Sequence, residues 1–374
     1  MRAPGLLAIV VVACGSSATP TPPPSACGGS DALVALSDYS SSEVGGISLD
    51  GGSSISKAFA DLGKDPALAV SRGRAFYVAR LEGTVFELDP TCGTPVAQHS
   101  VGDPTQKIAA NPQDVAVAPD GALWIPRYNL GDLAIVQGTS LTRIDLSAYD
   151  ADGNPQPSAI RIVDTTAGSK AFVTLERLDD HAQLASTQPS QMLRIDVATR
   201  AVEAAITLAG RNPFNTIAQD GEALFLAMPG NFADAAEGAA GVERFDLATS
   251  TTRLLVREAD LGASVAEVTV RGRCGVAILA DATPTVNRTS LATFDAQTGA
   301  VLAKNVIGPS ESFDKGIRGL AWANGGRTLL VGDRARQDKG YPIHAFEPDD
   351  ACRLRALPDT IFVGQKPVSV RAVK

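Results

Sequence analysis

The feature that most limits what this chain can become is a repeat. A Gly followed by a short apolar run recurs at Gly29 (DALVAL), Gly73 (RAFYVA), Gly121 (ALWIPR), Gly168 (SKAFVTL), Gly221 (EALFLA), Gly272 (RCGVAILA) and Gly325 (GRTLLVG). The gaps are 44, 48, 47, 53, 51 and 53 residues. A second landmark, an acidic residue closing a later apolar segment, falls at Asp50, Asp89, Asp145, Asp196, Asp246, Asp295 and Glu347. Both series count seven and interleave one for one, which defines a single module copied along the chain. Such a module cannot bury its apolar faces alone and must stack on its neighbours.

Each module reads as four strands. An inner strand, such as Asp114–Ala118 or Asn215–Ala218, leads through the Gly turn into the apolar second strand. A variable loop then reaches a third strand ending in the acidic residue, and a hairpin gives a fourth, as at Ala201–Leu208. No amphipathic helical period separates these strands, so parallel βαβ repeats are excluded. Four-stranded units of about 40–50 residues, repeated four to eight times, describe propeller blades. The expected fold is all-β, a seven-bladed β-propeller over residues 31–374. The final segment, 366–374 (KPVSVRAVK), matches an inner strand, whereas the first module has none before it. The C-terminal strand is therefore expected to complete the N-terminal blade and cover its open edge.

The runs from Asn111 (NPQDVAVAPDGALWI) and Asn212 (NPFNTIAQDGEALFL) resemble repeats of YVTN/NHL-type propellers. That family is functionally mixed, so the resemblance implies a fold far more than an activity. The N-terminus carries a second resemblance. After Arg2, the apolar run Leu6–Val12 is too short to span a bilayer. Val11-Val12-Ala13-Cys14 is similar to the lipobox of bacterial lipoproteins, with Val11 where the family more often has Leu. It implies a signal peptide over 1–13, cleavage before Cys14 and lipidation of its thiol; an ordinary signal peptide cut elsewhere is the alternative. Residues 14–30, containing GSSATPTPPP, have the composition of a flexible tether. A lipid-anchored protein of the cell envelope is expected, with Gly15 compatible with sorting to the outer membrane, periplasmic or surface-exposed. The formal charge is −8, and −9 once Arg2 is lost with the leader. An acidic surface argues against a nucleic-acid partner.

Four cysteines remain besides Cys14, an even number in an exported chain. In the repeat alignment Cys27 and Cys274 sit beside the turn between inner and second strands. Cys92 and Cys352 sit in third-to-fourth-strand hairpins on the same face. This favours Cys27–Cys92 and Cys274–Cys352, one geometry used twice between neighbouring blades. Cys27–Cys352 would strand Cys92 and Cys274 in distant blades, and free buried thiols remain the plainest alternative.

Function on a propeller is expected on the face of the variable loops: Arg127 to Ser140, Glu176 to Ser190, Pro229 to Gly241, Asp281 to Thr289 and Asp333 to Tyr341. Charged residues gather where second strands end, at Arg80, Arg127, Glu176, Arg177, Asp281, Asp333 and Arg334, with Asp114 and Arg318 added from inner strands. Superposed repeats would set these around the mouth of the central channel as candidate ligand-binding groups. Solvated strand ends and inter-blade ion pairs are the competing reading. The seven acidic hairpin residues are dispersed and read as turn caps. Asp150-Ala-Asp152-Gly153-Asn154 lacks the Gly and Glu positions of an EF-hand and reads as a hairpin turn. Asn287-Arg288-Thr289 is a glycosylation sequon of little force in a bacterial lipoprotein. His99, His181 and His344 fall in three different contexts, and no zinc, nucleophile-elbow or phosphate-loop motif occurs, so no metal, cofactor or catalytic residue is assigned. The expected function is a non-catalytic binding or scaffold protein using its upper-face loops. The alternative is a lactonase-like hydrolase with Glu176 and Arg127 or Arg318 over the channel, since related seven-bladed rings include such enzymes. A quinone-linked dehydrogenase subunit is the least supported.

Overall fold

The computed structural model describes residues 29–49, 54–60, 62–232, 237–282 and 287–374. The proposed signal segment, Cys14, most of the tether, Cys27 and Asp50 lie outside the described residues. Seven antiparallel sheets follow one another round a ring, each built from four strands, with a fifth short strand in the last. All seven apolar runs flagged by the glycines are second strands, from Ala32–Ser37 to Thr328–Asp333. The ring closes as the repeat requires: Pro367–Ala372 pairs antiparallel with Ala32–Ser37, Val34 opposite Val370.

The second strands read as continuous apolar runs because both of their faces are buried. In Ala32–Ser37, Ala32, Val34 and Leu36 pack against the last blade, while Leu33 and Ala35 pack against the second. The described residues form seven apolar clusters, and each lies between two adjacent blades. A side chain such as Leu33 or Phe76, fully buried, contributes roughly 1.5–3 kcal/mol. The core is thus distributed round the ring, with no single centre.

The turn glycines do what the repeat assigns them, with one exception. Gly73, Gly121, Gly168, Gly221, Gly272 and Gly325 have positive φ, and a Cβ at any of them would meet nothing. They are retained for backbone conformation and not for space. Gly29 has no positive φ, because its blade draws its inner strand from the C-terminus and has no turn there.

Polar groups stitch every seam between inner strands. Leu68 N–H donates to Ser369 Oγ (3.3 Å), Val117 N–H to Ser71 Oγ (3.0 Å), and Ile160 N–H to Asp114 Oδ2 (3.1 Å). Ser158 Oγ donates to Pro213 O (3.1 Å) and Asn215 Nδ2 to Ala266 O (3.3 Å). Glu267 accepts from Gly319 N–H (3.0 Å) and Leu320 N–H (3.1 Å), and Arg371 reaches Leu320 O (3.4 Å). These contacts answer a structural need. The inner strands of blades four to seven slip register against their second strands, as between Arg318 and Leu320, and such bulges free backbone N–H groups.

The acidic landmarks act locally. Asp196 and Asp246 each accept the main-chain N–H and hydroxyl of a Thr three residues on, Thr199 and Thr249. Asp145 departs from the expected place. It ends the fourth strand of blade three, Ser140–Asp145, because the third strand, Asp132–Gln137, occupies what the sequence suggested was a loop from Arg127 to Ser140. Asp150 lies in the link between blades three and four, where its carboxylate accepts from Ala151 N–H and Gln188 Nε2. Cys274 and Cys352 form a disulfide with Cα atoms 5.0 Å apart, joining blades six and seven. Cys92 is also disulfide-bonded.

Candidate functional site

The last residues of the second strands and the first residues of the inner strands meet on one rim of the channel. Tyr39, two residues past the second strand of blade one, stands there with φ +66° and is 42 % exposed. A large side chain in the left-handed region costs conformational energy, and such residues concentrate at functional sites. Ser37 Oγ accepts the Tyr39 N–H (2.9 Å) and helps hold it.

Three guanidinium groups surround Tyr39. Arg318 donates to its hydroxyl (2.6 Å), and Arg334 lies over its ring at 5.8 Å. Arg80 is close enough for the Tyr39 hydroxyl and the Arg318 charge both to act on it. Arg318 also pushes on Arg334, and for both Arg80 and Arg334 burial is the main force lowering the pKa. The compensation is incomplete. Asp65 stands 3.7 Å from Arg80, and Asp314 is 3.2 Å from Arg334, yet Nε of each arginine is buried without an acceptor among the described residues. An N–H left so is costly unless something fills the gap.

Beside this cluster lies an apolar pocket of about 250 Å³. Phe214, Phe232, Phe313, Ile278 and Ile317 form its walls, and Arg318 and Asn215 are at its edge. Phe214 and Phe232 meet edge to face at 5.1 Å, and Arg318 covers the Phe313 ring at 5.3 Å. Thr289, of the glycosylation sequon, also lines it, and its hydroxyl accepts the Ile317 N–H (2.7 Å). Across the rim Glu176 is 5 % exposed and accepts the Tyr128 hydroxyl (2.9 Å). Burial raises its pKa to about 7, against the opposing pull of Tyr128, Ser158 and the Arg80 charge. The site therefore offers an apolar wall, surplus N–H donors and one carboxyl poised near neutrality.

Not all the flagged residues take part. Arg80, Glu176, Arg318 and Arg334 come together at the rim. Arg127 does not: it is wholly buried, gripped by both oxygens of Asp132 and donating to Val101 O (2.9 Å). It is a strut between blades two and three, because the third strand begins five residues on with Asp132. Asp114 is consumed by the seam bond to Ile160. Asp281 is exposed on the strand pair of blade six, opposite Arg288. Asp333 faces His344 Nε2 (2.9 Å) and caps Ala335 N–H (2.7 Å), in the cleft between blades six and seven. Arg177 reaches out to Pro189 O (2.8 Å). Tyr39, Tyr128 and the three phenylalanines were not anticipated. Tyr39 sits in a link too short to count among the variable loops, and single aromatics in a β-rich sequence read as core.

No protein-family model matches the chain, and no curated protein matches it in sequence. Solved structures share its fold. A Bacteroides uniformis protein assigned provisionally as a 6-phosphogluconolactonase superposes with TM-score 0.58 at 14% identity, over 91% of this chain and 98% of that one. The WD40 repeats of RRP9 give TM-score 0.55 at 10% identity, over 82% of each chain. Virginiamycin B lyase from Staphylococcus aureus gives 0.50 at 12% identity, over 78% of this chain and 84% of that one. At such identities the likeness is one of fold alone.

Proposed function

We propose that this protein is a non-catalytic binding protein of the cell envelope, a YVTN/NHL-type propeller tethered by a lipid on Cys14, whose loop face captures a small amphipathic anion. The observation that carries the reading is the cluster of Arg80, Arg318 and Arg334 round Tyr39, short of acceptors and opening beside the Phe214–Phe232–Phe313 pocket. An anionic head would pair with the guanidinium groups, and an apolar body would fill the pocket. A charge-assisted hydrogen bond is worth about 1.5–3 kcal/mol, so losing one arginine should weaken binding ten-fold or more. Calorimetric titration with decanoate tests this. Saturable 1:1 binding is expected, at least ten-fold weaker in Arg318→Ala and much weaker for decanol. Equal binding of decanol and decanoate would sink the proposal. The anchor is tested separately: Cys14→Ser should move the protein from the membrane to the soluble fraction.

One observation favours a second reading, a lactonase-like hydrolase. Glu176 has a pKa of about 7, the range of a general base. Turnover of lactones that disappears in Glu176→Gln would support it.

A further inference from the structure

The channel holds a second cavity that the loop-face reading does not use. It occupies about 480 Å³ and opens on the opposite face, between the Gly325–Gly326 turn and the ends of inner strands at Ser71 and Arg271. Glu267 lines both spaces, and its contact with Arg371 (3.2 Å) marks the waist between them.

We infer that this lower cavity is a binding site for a small di- or tricarboxylate, separate from the site at the mouth. Arg161, on the inner strand Pro157–Thr165, lines the cavity. Its Nε is buried without an acceptor among the described residues. Asp114 and Arg371 are close enough to act on its charge, but neither is bonded to it, and the Asp114 carboxylate accepts from the N–H groups of Val115 and Ile160. The other arginines are answered: Arg371 by Glu267 and by Thr216 Oγ1 (3.3 Å), Arg271 by Asp220 at 3.9 Å. Arg161 inside and Lys374 at the rim have no ion-pair partner among the described residues. Trp322 also lines the space, and its Nε1 is buried without an acceptor.

A half-buried guanidinium that lines a cavity with no carboxylate bonded to it is stabilised by an anion that enters from outside. The missing partner must be an acceptor and an anion, and the planar fork of Arg161 matches a carboxylate best. Two cations at different depths call for more than one carboxylate. The cavity lies within the size range of small-molecule sites. This inference does not depend on what the mouth binds.

The probe is citrate, titrated into the full chain by calorimetry, with the chain's two tryptophans reporting in parallel. Trp124 is 1 % exposed in the core, so an emission change reports Trp322. Expected are 1:1 binding with a Kd below about 10 mM and a saturable emission change. Arg161→Gln should weaken binding at least ten-fold, while Arg318→Ala at the mouth should leave it unchanged. Arg161→Lys, which keeps the charge but not the fork, should fall between and serves if the Gln variant does not fold. The inference is overturned by the absence of saturable heat, by heat without change in tryptophan emission, or by loss in Arg318→Ala with retention in Arg161→Gln. Glycerol binding as tightly as citrate would overturn it as well.

Discussion

Glu176 and Asp114 are both buried acids, yet their surroundings give them different work. Asp114 accepts two main-chain N–H groups and belongs to the scaffold. Glu176 meets a hydroxyl at the rim, and burial lifts its pKa from an ordinary 4.5 to about 7. Between those two values the folded protein binds more protons than the unfolded chain. Its contribution to stability is therefore full below about pH 4.5, declines as pH rises towards 7, and is flat above. The whole swing amounts to about 3 kcal/mol. In Glu176→Gln this pH dependence should vanish while the Tyr128 hydroxyl keeps an acceptor. Urea unfolding of both proteins at pH 5 and pH 8 checks it. An equal fall in stability in both would show that the carboxyl is not held up.

The inner strands carry the closure of the ring, and at a bulge in the last of them two backbones come close. Gly319 lies in the bulge of strand Ile317–Ala323 with φ +83°, and a Cβ there would sit 2.7 Å from Val370 N. Val370 belongs to the C-terminal strand that completes the first blade. Gly319→Ala thus combines a disfavoured φ with a backbone clash at the clasp, where nothing flexible can yield. A loss of about 3–4 kcal/mol is expected, against about 1–2 kcal/mol for Gly121→Ala, which shares the disfavoured φ (+85°) but whose Cβ would meet nothing. Denaturant midpoints of the two variants provide the comparison. Similar losses would mean that the clasp tolerates movement. The same elements explain blade three: a six-residue third strand fits between Gly131 and Gly138, both with positive φ, so what looked like a variable loop is a strand flanked by two turns.

Seven inter-blade clusters mean that stability is spread round the circle and that each seam depends on its neighbours. The Cys274–Cys352 disulfide ties blades six and seven over a separation of 78 residues. On the chain-entropy account a loop of that length is worth about 4 kcal/mol, and the seam beside the closure is where opening would begin. Reduction, or a paired Cys274→Ser and Cys352→Ser change, should lower the unfolding temperature by several degrees and expose the last two blades first to protease. Limited proteolysis with mapping of the first cuts would reveal it. First cuts in blades three or four would contradict this order of opening.

Blade number, strand order, ring closure and the Cys274–Cys352 pair were all legible in the sequence, because each follows from local chemistry repeated at a fixed interval. A Gly turn, a run of residues buried on both faces and an acidic cap are decided within one module, so seven copies announce themselves. The site was legible only in part. Arg80, Glu176 and Arg318 were found because strand ends can be aligned from repeat to repeat, but Arg127, with the same alignment, is a buried strut. What separates them is whether a carboxylate from the next strand reaches the guanidinium, as Asp132 does for Arg127. That depends on where the third strand starts. The grouping of three arginines round Tyr39, and the unanswered Arg161 in the lower cavity, arise from contacts between residues up to 279 positions apart in the chain. Spacing along a sequence carries no record of such distances, and only the closed ring brings these side chains together.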